Sequence, residues 1–125
     1  MHATAPTVAG SRVPQDLLDA LCAAVGEANV DVDPDVTAAY SRDMMPLAPS
    51  GKPLVVVFPT DTAQVAAVVR ACAAAGVPIV PRGAGSGLTG AANAVDGAVT
   101  VVLTKMNRIL EIDEATGWRW CSRAW

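Results

Sequence analysis

The spacing of apolar positions changes several times along the chain, and each change marks an element. After Pro14, the residues Leu17, Leu18, Leu21 and Val25 recur at intervals of three and four. That spacing predicts a helix opened by Pro14-Gln15-Asp16 and stopped at Gly26. An acidic segment, 31–43, follows, with one more helical turn expected around 36–40. Pro53-Leu54-Val55-Val56-Val57-Phe58 is an unbroken, β-branched apolar run, the pattern of a strand covered on both faces, and Pro59 ends it. Asp61, with Gln64 three residues on, makes a capping-box arrangement. A stripe of Val65, Val68, Val69, Cys72 and Ala73 then predicts a helix that stops at Gly76. Residues 77–81 form the next strand, Asp96-Gly97 a turn, and 98–103 another strand. The alternation in 109–113 is that of a half-exposed strand.

Strand, helix and strand at this spacing predict a right-handed βαβ unit, hence a parallel pair with a helix on one face. The expected fold class is therefore α/β, shading into α+β, with a small parallel sheet and an N-terminal helix. At 125 residues the chain is about one small domain. With 52% hydrophobic and 17% charged residues it has the apolar surface for a core and is not a disordered chain. A net charge of −3 and the lack of any basic stripe exclude nucleic acid as a partner. Three widely spaced cysteines, Cys22, Cys72 and Cys121, read as reduced thiols, and the first and second of these as small core residues on helix faces. Residues 1–13 read as a loose terminus without the apolar stretch of a signal peptide. No run reaches the eighteen or so apolar residues of a membrane span, so a soluble, cytoplasmic protein is expected.

The candidate chemistry lies just after the second strand, in Pro81-Arg82-Gly83-Ala84-Gly85-Ser86-Gly87-Leu88-Thr89-Gly90. Glycine admits positive φ and close approach of the main chain to a ligand. Successive N–H groups in such a loop make an anion-binding concavity. The expected ligand is the diphosphate of a dinucleotide. A Walker A loop would need Lys and then Ser or Thr after its second glycine, whereas Gly90 is followed by Ala91. Gly85, Gly87 and Gly90 match the Rossmann spacing, but that motif opens a helix, and no helix fits between Gly90 and the strand at 98. A purely structural glycine turn remains an alternative. So does an Arg82 side chain that is merely solvated instead of a fixed cation in the loop.

From about Tyr40 to Ala115 the sequence resembles the FAD-linked oxidases of the vanillyl-alcohol-oxidase type, and within them the D-lactate dehydrogenases and glycolate oxidase large subunits. The resemblance is carried by Val55-Val56-Val57-Phe58-Pro59, the 61–76 helix, the 81–90 loop, and Leu103-Thr104-Lys105-Met106-Asn107-Arg108-Ile109-Leu110-Glu111-Ile112-Asp113. It implies the first subdomain of a PCMH-type FAD-binding domain, with residues 51–117 as its core and 14–50 as a helical segment before it. It also implies that the backbone amides of 81–90 wrap the FAD pyrophosphate. Some relatives carry a flavin-linking histidine in this loop; Ser86 stands there in this chain, which implies non-covalent FAD. His2, the single histidine, lies far from the motif. The parent enzyme would oxidise a small 2-hydroxy acid. Met106, Ile109 and Ile112 are expected to be packing residues, and Tyr40 and Asp43 a surface turn.

The stretch 118–125 departs from everything before it: Trp118, Trp120 and Trp125 are the only tryptophans. GC-rich back-translation gives TGG CGG TGG TGC AGC CGG GCG TGG. Read from the last base of the Gly117 codon it becomes Leu-Ala-Val-Val-Gln-Pro-Gly-Val, the strand and turn with which the resembled family continues. A frameshift is therefore expected there, and with it a product that binds FAD weakly or not at all and turns over nothing. Non-catalytic phosphate binding, or no ligand, are the other function classes left by the sequence.

Overall fold

A computed structural model describes residues 12–121 of the chain. Helix α1, Gln15–Val25, ends at Gly26 with φ 85°, as its apolar spacing indicates. Strand β1, Val30–Asp31, and the short helix α2, Pro34–Ala38, come next, the latter capped by Asp33. Strand β2 is Val55–Val57, helix α3 Thr62–Ala75, strand β3 Ile79–Arg82 and strand β4 Val99–Val102. The capping box at α3 forms with one change. Asp61 Oδ1 accepts from Gln64 N at 2.8 Å, but Gln64 Oε1 accepts from the amide of Thr60, one residue before the cap. Gly76 closes α3 at φ 66°.

The sheet order is β1-β2-β4-β3, with β1 antiparallel and the rest parallel. Strands β2 and β3 are thus parallel but not partners, which corrects the expectation of a directly paired βαβ unit. Strand β4 takes the place between them, pairing Val56 with Thr100 on one side and Val80 with Thr100 on the other. Three-residue β2 is too short for the sequence to show which neighbour it takes.

Alternation along the strands divides the core. Val55, Val57, Val99 and Val101 face α1 and α3 and pack with Leu17, Leu21, Val25, Val68 and Cys72. Cys72 is fully buried, and burial pushes its thiol pKa up, as a small core residue requires. Val56, Val80, Thr100 and Val102 turn to the opposite face and are buried too. Arg82, on that same face, donates to the carbonyl of Arg42, which puts the irregular 40–54 segment there. That segment is tied to residues 90–98 through Ala94 N to Ser41 O, Gly51 N to Ala94 O and Gly97 N to Lys52 O. Thr100 Oγ1 is buried on this face without a hydrogen-bond partner. An unpaired buried hydroxyl is a cost. Thr100→Val, which keeps the shape, is expected to be neutral or to stabilise by about 1 kcal/mol in urea denaturation; a clear loss of stability would show that the hydroxyl has a partner after all.

Strands β5, Ile109–Asp113, and β6, Trp118–Cys121, form a separate hairpin with an irregularity between Ile109 and Glu111. Its apolar residues are exposed, Ile112 by 63% and Trp118 by 70%. Ile109 and Ile112 therefore do not pack as expected, whereas Met106 does. Trp118–Cys121, read from sequence as an aberrant tail, pairs as a strand; residues 122–125, and the terminus through residue 11 with His2, lie outside the described residues. The hairpin turn is held by Asp113, which accepts from the Thr116 hydroxyl and the amides of Ala115 and Thr116. These bonds, the hydroxyl first, hold its carboxyl below the usual carboxylate range. A carboxylate with a depressed folded-state pKa contributes above the unfolded pKa and loses that contribution as pH falls through the folded one. The hairpin is thus expected to loosen in acid, seen as a change in tryptophan fluorescence that Thr116→Ala moves to higher pH.

Candidate functional site

Open parallel sheets bind ligands beyond the carboxyl ends of their strands. Here those ends are Arg82 of β3, Val57 of β2 and Val102 of β4. The glycine loop leaves β3 at this edge and runs without a helix to β4, which agrees with the exclusion of a Rossmann crossover.

Within 83–90, no backbone N–H donates to a protein acceptor among the described residues. The loop is instead held by other atoms. Gly87 offers its carbonyl to Met44 N at 3.1 Å, and Gly90 its carbonyl to Asn93 N at 3.1 Å. Gly85 and Gly90 both have φ 75°, the left-handed region that glycine enters at no steric cost. A Cβ on Gly90 would lie 2.5 Å from Ala48 Cβ, and one on Gly85 would overlap the Arg82 guanidinium. Pro81, Gly83, Ala84, Ser86, Gly87, Leu88 and Thr89 are exposed, and Gly85 and Gly90 are half-buried. The loop thus presents free amides on an open surface.

Arg82 is half-buried and makes no salt bridge among the described residues. Its Nη1 donates to Arg42 O at 2.7 Å, its Cζ lies 5.7 Å from the centre of the Tyr40 ring, and its guanidinium sits under Gly85. Tyr40 in turn meets Phe58 edge-on at 5.6 Å between centroids, and Lys105 lies over Phe58 at 5.5 Å while donating to Asn29 Oδ1. A row of cation, two aromatics and cation therefore crosses the carboxyl ends of β3, β2 and β4.

One residue of this site, Asn93, had no recognised role in the sequence, and another, Asp43, was expected only in a surface turn. Asn93, 7% exposed, accepts from Asp43 N at 2.8 Å and donates to Pro49 O at 3.1 Å and Ala48 O at 3.4 Å. Asp43 accepts from Met45 N through Oδ1, and its buried Oδ2, without a partner, would lie 3.3 Å from a Cβ on Gly87. Tyr40 ends a turn and both residues are half-buried, in keeping with the expected surface turn, and from there both also contact the loop. A lone asparagine among alanines carries no pattern that would have revealed Asn93.

Two cavities lie elsewhere. One of about 480 Å³ is lined by Thr60, Asp61, Thr62, Lys105 and Asn107 among others, and one of about 680 Å³ by residues of α1, α2 and 52–54. Neither is lined by any residue of 81–90. No group of three or more His, Cys, Asp or Glu among the described residues could hold a metal ion. No described helix is long and apolar enough to cross a membrane.

Residues 53–121 match the FAD binding domain family, and the chain belongs to it. Its cofactor is FAD. The D-lactate dehydrogenase of Anaerostipes hadrus is 39% identical over 83 residues, which are 66% of this chain and 18% of that protein. The D-2-hydroxyglutarate dehydrogenase of Stutzerimonas stutzeri is 40% identical over 99 residues, 78% of this chain and 21% of the relative. The structure of p-cresol methylhydroxylase with substrate bound superimposes with a TM-score of 0.68 at 31% identity, over 79% of this chain and 20% of that one. The chain spans about a fifth of the length of the curated relatives it matches. These likenesses bear out the PCMH-type FAD-binding fold and the oxidoreductase family that the resemblance implied.

Proposed function

We propose that residues 81–90 cradle the diphosphate of FAD and that the chain is the FAD-holding portion of an oxidoreductase acting on 2-hydroxy acids. The observation that carries this reading is the set of eight amides, 83–90, left without acceptors among the described residues at the carboxyl edge of the sheet. On this open surface the amides meet water in the free chain, and a diphosphate would replace that water as their acceptor. Arg82 lies against the loop at Gly85 and makes no salt bridge with a described carboxylate. The substrate class rests on the two dehydrogenase relatives, whose names share a 2-hydroxy acid. Bound flavin supplies the hydride acceptor for oxidation at such an acid's α-carbon. The residues described here bind and orient it; none is given a catalytic role. Because the loop lies on an open surface, these residues enclose the cofactor from one side, and modest affinity is expected.

Titration of the purified chain with FAD, followed by flavin absorbance and fluorescence, tests the proposal. Saturable FAD binding that pyrophosphate and ADP compete away is the expected result. A chain that ignores FAD, ADP and pyrophosphate alike would overturn it.

A further inference from the structure

Resting on the FAD reading of the loop, we infer that Tyr40 is a positioning residue. It holds Arg82 under Gly85, so that Arg82 shapes the loop from below instead of reaching over to grip the diphosphate.

Three observations converge. Arg82 is the last residue of β3 and its side chain leaves on the face that carries the 40–54 segment. Its guanidinium then has a fixed seat. One nitrogen is committed to the carbonyl of Arg42, the plane lies near the Tyr40 ring, and the space above is the space a Gly85 side chain would fill. A guanidinium next to an aromatic ring is attracted by the ring's quadrupole, and its flat shape suits the narrow gap. Tyr40 itself makes a T-shaped contact with Phe58, over whose ring lies Lys105, bonded to Asn29. The Tyr40 hydroxyl has no hydrogen-bond partner among the described residues, so the ring face is what the site uses. Tyr40 also lies before residue 53, where the family match begins, so this support comes from outside the matched region.

The consequence is a division of labour. The amides of 83–90 meet the ligand, and Arg82 with Tyr40 sets the curve in which those amides stand. Arg82 then contributes to binding through the loop's shape, and Tyr40 contributes as much as Arg82 does.

Residues that act through one another are non-additive. In the 125-residue chain, Tyr40→Leu and Arg82→Met are each expected to weaken FAD binding about tenfold, and the double variant no more than either alone. Tyr40→Phe, which keeps the ring, is expected to stay within about twofold of the parent. A second readout needs no ligand. In the free protein, the ¹⁵N heteronuclear NOE of residues 83–90 should fall in Tyr40→Leu and Arg82→Met, stay at the parent value in Tyr40→Phe, and not change in α3 or β4. Loop order unaffected by Tyr40→Leu, or FAD losses that add in the double variant, would overturn the inference. If Tyr40→Leu does not fold, Arg82→Met carries the same two readouts, and a loop that keeps its order without Arg82 overturns it equally. A parent chain that fails to bind FAD defeats the functional reading, while the loop-order measurement still decides the role of Tyr40.

Discussion

Gly85→Ala is expected to cost the chain at least about tenfold in FAD affinity while leaving the sheet intact. Two effects act together. Residue 85 stands at φ 75°, where an L side chain carries a penalty of about 1–2 kcal/mol. The new Cβ would also overlap the Arg82 guanidinium, which sits in a confined seat between Gly85, the Arg42 carbonyl and the Tyr40 ring. Either the loop or the arginine must move, and in both cases the amides of 83–90 lose their common curve. Each diphosphate hydrogen bond lost is worth about 1.5–3 kcal/mol because the acceptor is charged. A single displaced amide therefore accounts for the expected tenfold loss, since about 1.4 kcal/mol is a factor of ten. The check is a FAD titration beside a thermal melt. Unchanged affinity with Gly85→Ala would mean that the loop's curve is not what binds.

Asn93→Ala is expected to be the most destabilising of the conservative changes at the site. The side chain is almost fully buried and serves three backbone groups, the amide of Asp43 and the carbonyls of Ala48 and Pro49. Truncation strands these groups, of which those of Asp43 and Ala48 belong to half-buried residues and that of Pro49 to an exposed one. Each group kept from water costs about 1–3 kcal/mol. The 3.4 Å bond to Ala48 is the weakest, so a total near 3 kcal/mol is expected. A domain of this size has only about 5–15 kcal/mol to lose. Urea denaturation followed by circular dichroism measures the change; a shift under about 0.5 kcal/mol would be a surface-like effect and would contradict the role given to Asn93.

Much of this architecture was legible because local chemistry and tertiary structure agree. Gly26 and Gly76 end their helices in positive φ, Asp61 caps α3, and the β-branched runs became the inner strands β2 and β4. The loop was legible because eight positions with four glycines and two hydroxyl residues suit no core element. Sheet order was not. Which strand lies between two others depends on where a sixteen-residue irregular connection returns, and nothing in 83–98 encodes that locally. The site's support was illegible for a related reason. Tyr40, Arg42 and Asp43 act on the loop across some forty residues, through one side chain, one backbone carbonyl and one buried carboxylate. Backbone carbonyls leave no mark on a sequence. The 109–113 alternation suggested a strand with one buried face, yet β5 exposes both, since its only partner among the described strands is β6.

The hold proposed here for FAD is one by the main chain of 83–90 on its diphosphate. It is tested most directly by following the ¹H–¹⁵N resonances of the chain while FAD is added. The expected result is that the largest shifts fall on the amides of residues 83–90, with smaller ones at Tyr40 and Asp43 behind them. Shifts that leave those eight amides untouched and gather instead around the cavity of Thr60, Asp61 and Lys105 would contradict it.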